Sequence, residues 1–178
     1  MKLDTTSLGN AVRRLREGLL RCEREPADEQ VRDGLIQRFE FTYELSHKML
    51  RRYLKETAAS PDEIERMPFA DLIRTGNARG LLRGDWPVWR RFREMRARTS
   101  HTYDANVAAQ VVSAIPGFLE EAEDLYAELQ TAARMTQPVP IDLPADHRWL
   151  VLNIIRANLP QGTKAWVFGS RATGRARR

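Results

Sequence analysis

Cysteine, histidine and lysine are all scarce in this chain, and no long apolar run interrupts it. The single cysteine, Cys22, excludes an internal disulfide and any cysteine-based zinc cluster, and reads as a small residue on a helix. No apolar stretch nears the roughly 18 residues that a membrane-spanning helix requires, and no secretory leader is expected. A soluble, cytoplasmic protein without a membrane partner is therefore expected. Glycines 76, 80 and 84 do not form a phosphate-binding loop, because no strand precedes them and no Gly-Lys-Ser/Thr follows. They read as loop punctuation. No internal repeat or low-complexity tract appears.

What is abundant is arginine. It far outnumbers lysine and gives the 178 residues a net charge of +5 and a pI of about 9.8. That balance favours an acidic partner such as RNA or a nucleotide, and says nothing of fold. The length suits one domain plus part of another.

The apolar residues fall at helical spacing. Residues 5–25 predict a first helix, capped by Thr5, Thr6 or Ser7 and carrying Leu8, Val12, Leu15, Leu19 and Cys22 on one stripe. A longer helix is expected from Asp28 to Ala58. Its main stripe is Val31, Leu35, Phe39, Thr42, Leu45, Met49, Tyr53 and Leu54, with Ile36, Phe41 and Tyr43 widening the apolar surface. Ser60-Pro-Asp-Glu63 predicts a short helix with a capping box, and another is possible over 69–75. Asp85 opens a helix with Trp86, Val88, Trp89, Phe92 and Met95 inward. Asp104 or Asn106 caps a last helix bearing Val107, Val111, Ala114, Phe118, Ala122, Leu125 and Leu129, which Pro116 is expected to kink or break. The fold class is thus mainly α, an antiparallel four-helix bundle with an extra short helix.

The chemistry concentrates in Arg96-Ala-Arg-Thr-Ser-His-Thr-Tyr103. If the helix runs through it, Arg93, Arg96, Ser100 and Tyr103 share a face, with His101 on the adjacent one beyond Arg98. Guanidiniums suit a phosphate, and an imidazole moves protons near neutral pH. Such a set can hold or cleave a phosphodiester without a metal. The plainer reading is a solvated basic helix face with one ordinary histidine.

Arg96-x4-His101-x-Tyr103 resembles the R-x4-H-x-Y motif of HEPN domains, most closely the HepT-type branch, long labelled nucleotidyltransferase substrate-binding proteins. Upstream, Arg38-Phe-Glu-Phe-Thr-Tyr-Glu-Leu45 and Lys48 to Tyr53-Leu54 resemble a second segment of that branch. The likeness spans roughly residues 5–133. His47 departs from it, standing where a tryptophan is expected, and this concerns packing more than chemistry.

After Ala133 the composition changes. Residues 1–134 form the expected bundle, and the proline-rich stretch 135–144 reads as an extended linker. An amphipathic helix is expected over 145–158, through Trp149, Leu152 and Ile155, and then a strand at Lys164-Ala-Trp-Val-Phe168. Gly169-Ser170 follows at the start of another helix. This helix, strand and Gly-Ser pair resemble the opening of a minimal nucleotidyltransferase (MNT) domain, an incomplete α/β start within 145–178. In that family the Gly-Ser pair contacts the triphosphate, as suits a helix N-terminus. The metal-binding Asp-x-Asp of the family would lie beyond the final glycine, and Asp142 and Asp146 precede the strand. The chain is therefore expected not to transfer nucleotides itself, as a truncated or interrupted form.

The resemblance implies a toxin joined to its antitoxin. HEPN domains of this kind act as metal-independent ribonucleases and as dimers, which implies Arg96 and His101 as catalytic residues, no cofactor and no metal. Arg93, Arg98 and Ser100 are the candidates for gripping RNA phosphate. MNT antitoxins, using ATP and Mg2+, transfer AMP to the motif tyrosine, here Tyr103. The alternative is a non-catalytic module that binds a substrate or nucleotide for a nucleotidyltransferase partner. His47 and His147 lie outside the motif and read as structural or exposed.

Overall fold

The computed structural model describes residues 3–135 and 145–158. The chain divides into two compact units, Met1–Arg134 and Met135–Arg178. The first holds helices α1 (Thr6–Arg24), α2 (Glu29–Thr57), α3 (Pro61–Arg66), α4 (Phe69–Ala78) and α5 (Trp86–Arg98), a 3₁₀ turn (Thr99–His101), and α6, which spans Ala105–Met135. In the second, α7 covers Ala145–Asn158, with Trp149 68% exposed. Among the described residues there is no strand, and no helix is long and apolar enough to cross a membrane. Most of the expected linker, the expected strand at 164–168 and the Gly169-Ser170 pair lie outside the described residues.

The expected stripes form the core. Leu8, Val12 and Leu15 of α1, Leu35, Ile36, Phe39, Tyr43 and Leu54 of α2, Trp89 and Phe92 of α5, and Val111, Phe118, Ala122, Leu125 and Leu129 of α6 are all buried. Phe118 sits at the centre. The rings of Phe39, Phe92 and Trp89 meet it edge-on at centroid distances of 5.0, 5.3 and 6.2 Å, the geometry favoured by the ring quadrupole. One aromatic thus ties α2, α5 and α6 together. Phe41 is the exception: α2 turns it outward, 58% exposed, because Leu35, Ile36, Phe39 and Tyr43 already fill the inner arc.

The helix ends follow the sequence in part. The Asp28 carboxylate accepts from Gln30 and Val31 N–H, and that of Asp104 from Asn106 and Val107 N–H. At α1, by contrast, Asp4 rather than a hydroxyl residue receives Thr6 N–H at 2.9 Å. Ser60 makes no side-chain cap, so the expected capping box is not built; its carbonyl receives Glu63 N–H instead. Arg51 closes the other end of α3, donating to the carbonyls of Ile64, Glu65 and Met67 at 2.6, 3.0 and 3.0 Å. Gly76 belongs to α4, which runs on to Ala78. Gly80, with φ +70°, ends it in a Schellman turn in which Leu81 N–H reaches Gly76 O and Gly80 N–H reaches Asn77 O. Helix α6 passes through Pro116 without a break.

Candidate functional site at the junction of α5 and α6

The local sequence stops α5 just before the motif histidine. Thr99, Ser100 and Thr102 each have a hydroxyl within bonding distance of the carbonyl three residues back, Arg96 O at 2.8 Å, Ala97 O at 3.4 Å and Thr99 O at 3.2 Å. Back-bonding by Ser100 and Thr102 competes with the α-helical ladder and suits the tighter 3₁₀ geometry. Asp104 N–H then bonds His101 O, and its carboxylate begins α6. The helix therefore does not run through the stretch. The expected single face of Arg93, Arg96, Ser100 and Tyr103 is not formed, because the last two lie beyond the end of α5.

Arg96 faces α2. Its Nη1 lies 3.0 Å from Glu40 Oε1 and its Nε 3.7 Å from Glu44 Oε1, with the three side chains 34%, 30% and 38% exposed. Nη1 also donates to Thr99 Oγ1 at 3.2 Å, and Thr99 Oγ1 lies 2.5 Å from Glu40 Oε1. Nε is buried without a hydrogen bond. Two carboxylates around one guanidinium leave this cluster with a net negative charge, a poor attractor of distant anions.

The remaining candidates are spread around it. Arg93 places its guanidinium 5.4 Å from the Phe69 ring centroid, a cation–π contact. Arg98 donates to Gln110 Oε1 of α6 at 2.5 Å. Ser100 is exposed and bonds only backward. His101 and Tyr103 stand together at the junction, both exposed, with ring centroids 6.1 Å apart in a T-shaped arrangement; Tyr103 is 87% exposed. His147 is exposed on α7.

Behind the cluster, Tyr43 is buried among Phe39, Phe69, Trp89 and Phe118. Burial pushes its phenol up to about 12, with Glu44 adding to the shift and Arg93 and Arg96 opposing it. His47 packs edge-on to Phe69 and its Nδ1 lies 3.2 Å from Tyr43 O, a bond that makes Nδ1 the donor. Burial holds its pKa below the usual value against the pull of Glu44, whose carboxylate is 3.8 Å away. Among the described residues no group of three His, Cys, Asp or Glu side chains could hold a metal.

Sequence reasoning missed Glu40, Glu44 and Thr99. The signal was present: Glu40 and Glu44 are four apart on α2, and Thr99 sits inside the motif, although Ser100 was the hydroxyl picked out.

Residues 3–131 match the family described as "Nucleotidyltransferase substrate binding protein like". The chain belongs to this HepT-type family. The relative "Probable ribonuclease HepT" of Haemophilus influenzae is 43% identical over 97 residues, which cover 54% of this chain and 66% of that protein, slightly under two thirds of its length. A solved Haemophilus influenzae structure, described as the fold of a substrate-binding domain of a nucleotidyltransferase, is similar with a TM-score of 0.68 at 33% identity. It covers 71% of this chain and 99% of its own. The all-helical bundle is the fold of this family.

Proposed function

We propose that the chain is a HepT-type toxin, a metal-independent ribonuclease acting as a homodimer on RNA through Arg96 and His101. The observation that carries this reading is the pairing of an exposed imidazole and an exposed phenol, His101 and Tyr103, at a junction anchored by Arg96. The likeness to a probable ribonuclease supports it. Each chain supplies one motif histidine, whereas cleavage through the 2′-OH uses both a base and an acid. A two-fold axis supplies the second. One His101 takes the 2′-OH proton as the oxygen attacks phosphorus, and the other gives a proton to the departing 5′-oxygen, leaving a cyclic phosphate. Arg96 stabilises the charge gathering on phosphorus, a contact of the kind worth a few kcal/mol. Arg93, Arg98 and Ser100 steady the RNA.

Control follows from Tyr103. An MNT nucleotidyltransferase acting in trans transfers AMP from ATP to the phenol with loss of diphosphate, and Gly169 and Ser170 of this chain are the counterparts of the pair that holds the triphosphate in a complete MNT domain. The new phosphate adds charge and bulk beside His101 and blocks the RNA, as phosphorylation disrupts an anion site. Tyr103 suits this role because its ring stands clear of the core.

A second reading, a non-catalytic module that binds a substrate or nucleotide for a nucleotidyltransferase, is favoured by one observation: Arg96 is engaged by two carboxylates. The test is RNA cleavage by the purified chain without metal, beside His101→Ala, with intact mass recorded. Cleavage by the wild type alone supports the ribonuclease. Inactivity with an unmodified mass refutes it and favours the module, whereas inactivity with added AMP points to a silenced toxin.

A further inference from the structure

Residues more than fifty positions apart in sequence meet around Arg96. Glu40 and Glu44 stand one turn apart on α2 and so leave the same face of it. Arg96, two residues before the end of α5, lies against both, and Thr99 joins them from the first position of the 3₁₀ turn. A hydroxyl has one proton to give and two lone pairs to offer. Nη1 only donates, so Thr99 Oγ1 accepts from it, and of the two oxygens within reach of the one hydroxyl proton, Glu40 Oε1 at 2.5 Å and Arg96 O at 2.8 Å, the charged and nearer carboxylate takes it. Nη1 therefore donates to Thr99 and lies in ion-pair contact with Glu40, while Nε lies 3.7 Å from Glu44 without a hydrogen bond. Nη2 makes no hydrogen bond to a described residue. The guanidinium is a rigid planar fork, so holding Nη1 against Glu40 and Thr99, with Nε turned toward Glu44, restricts the direction of Nη2.

We infer that Glu40 and Thr99 are positioning residues of the motif. They orient Arg96 so that Nη2 is the donor presented to a phosphate, and they pin to α2 the turn that carries His101. The catalytic consequence rests on the ribonuclease reading, while the orientation rests on the contact alone. The net charge of the cluster gives the inference an edge. With two carboxylates around it, Arg96 adds little to long-range capture of RNA, and its value lies in being aimed. Loss of Glu40 or Thr99 should accordingly lower kcat more than it raises KM, since misplacement of a reacting group by about 1 Å costs up to about 100-fold in rate.

The experiment compares Glu40→Ala, Glu40→Gln, Thr99→Val and Thr99→Ser in RNA cleavage, and in nitrogen-15 NMR of the arginine side chains. Arg96 signals are assigned by their absence in Arg96→Lys, and helical circular dichroism confirms folding. Expected are kcat losses of about 10- to 100-fold in Glu40→Ala and Thr99→Val with nearly unchanged KM. Thr99→Ser should restore the rate, and Glu40→Gln, which keeps an acceptor, should fall between. Glu40→Ala should cost nothing further in an Arg96→Ala background, and it should release the hindered rotation of the Arg96 guanidinium. Losses that add in the double variant, an effect on KM alone, or unchanged Arg96 signals in Glu40→Ala would overturn the inference. If the wild type does not cleave RNA, the ribonuclease reading fails, and the NMR comparison alone decides whether Glu40 orients Arg96.

Discussion

Truncating Glu121 to alanine should cost the bundle about 3–5 kcal/mol, among the larger effects expected of a single change. Glu121 lies on α6 and is 6% exposed. Its Oε2 accepts from Gly84 N–H at 3.0 Å and from Trp89 Nε1 at 3.3 Å, so one carboxyl oxygen ties the loop before α5 and the first turn of α5 to α6. Trp89 is fully buried and Gly84 is buried as well, which leaves both donors without a partner once the carboxyl is gone. Two hydrogen bonds to a charged acceptor are worth about 1.5–3 kcal/mol each. An adjoining cleft of about 510 Å³, lined by Phe92, Gln110, Gly117 and Glu121 among others, gives water a route to the orphaned donors and favours the lower half of the range. Glu121→Gln keeps one acceptor oxygen and should lose about 1–2 kcal/mol. Urea unfolding reads this directly: the midpoint should drop while the slope stays constant. A loss below about 1 kcal/mol in Glu121→Ala, or equal losses in the two variants, would refute the argument that satisfaction of these donors matters.

Other outcomes follow from single contacts. The pKa of His47 is held down by burial, so above its ordinary value of 6.5 both the folded and unfolded chain carry it neutral and it contributes nothing to pH dependence. Below that value the unfolded chain takes up the proton first, and stability falls as the pH drops toward the folded value. His47→Phe should flatten the loss between pH 7 and pH 5 in urea midpoints; parallel curves would contradict it. Arg51→Met strips three carbonyls at the end of α3 of their donor and should cost about 1–3 kcal/mol, with Arg51→Lys between it and the wild type in thermal unfolding. A Cβ at Gly9 would lie 2.6 Å from the Tyr126 hydroxyl, whereas one at Gly34 would meet nothing within 4 Å. Gly9→Ala should therefore destabilise by about 1–2 kcal/mol, and Gly34→Ala should stabilise by about 0.5–1 kcal/mol. Stabilisation by both would show that helix propensity, not space, governs these sites.

The core was legible because its signal is periodic. Leu8, Val12 and Leu15, or Val111, Phe118, Ala122 and Leu125, announce a buried face by spacing alone, and Asp28 and Asp104 announce helix starts by position. Phe41 was misjudged for a physical reason: α2 carries apolar residues around much of its circumference, and periodicity does not say which of them the neighbours leave uncovered. The end of α5 at Arg98 was missed because a run of hydroxyl residues is compatible with a helix until their back-bonding is seen. Ser60 illustrates the converse, a residue pattern that permits a capping box which the backbone leaves unbuilt. At the candidate site the motif itself was evident, and His101 and Tyr103 do share one exposed corner. The carboxylates that hold Arg96 were legible only as a pair four apart on one face of α2; that this pair meets residue 96 is a tertiary contact which the spacing does not give. Glu121 hid in the same way, as one more acid in an acidic stretch of α6.

The contact of Glu40, Thr99 and Arg96 also bears on how the family is inherited. Two stretches of this chain carry the likeness, one in α2 and one at the end of α5, and they look like independent marks of kinship. In space they are the two halves of one junction. A change at Glu40 alters the setting of Arg96 as surely as a change at Arg96 does, so descendants should keep both or alter both. A relative that retains R-x4-H-x-Y but has lost the glutamate on α2 would share the lettering of the motif without its geometry.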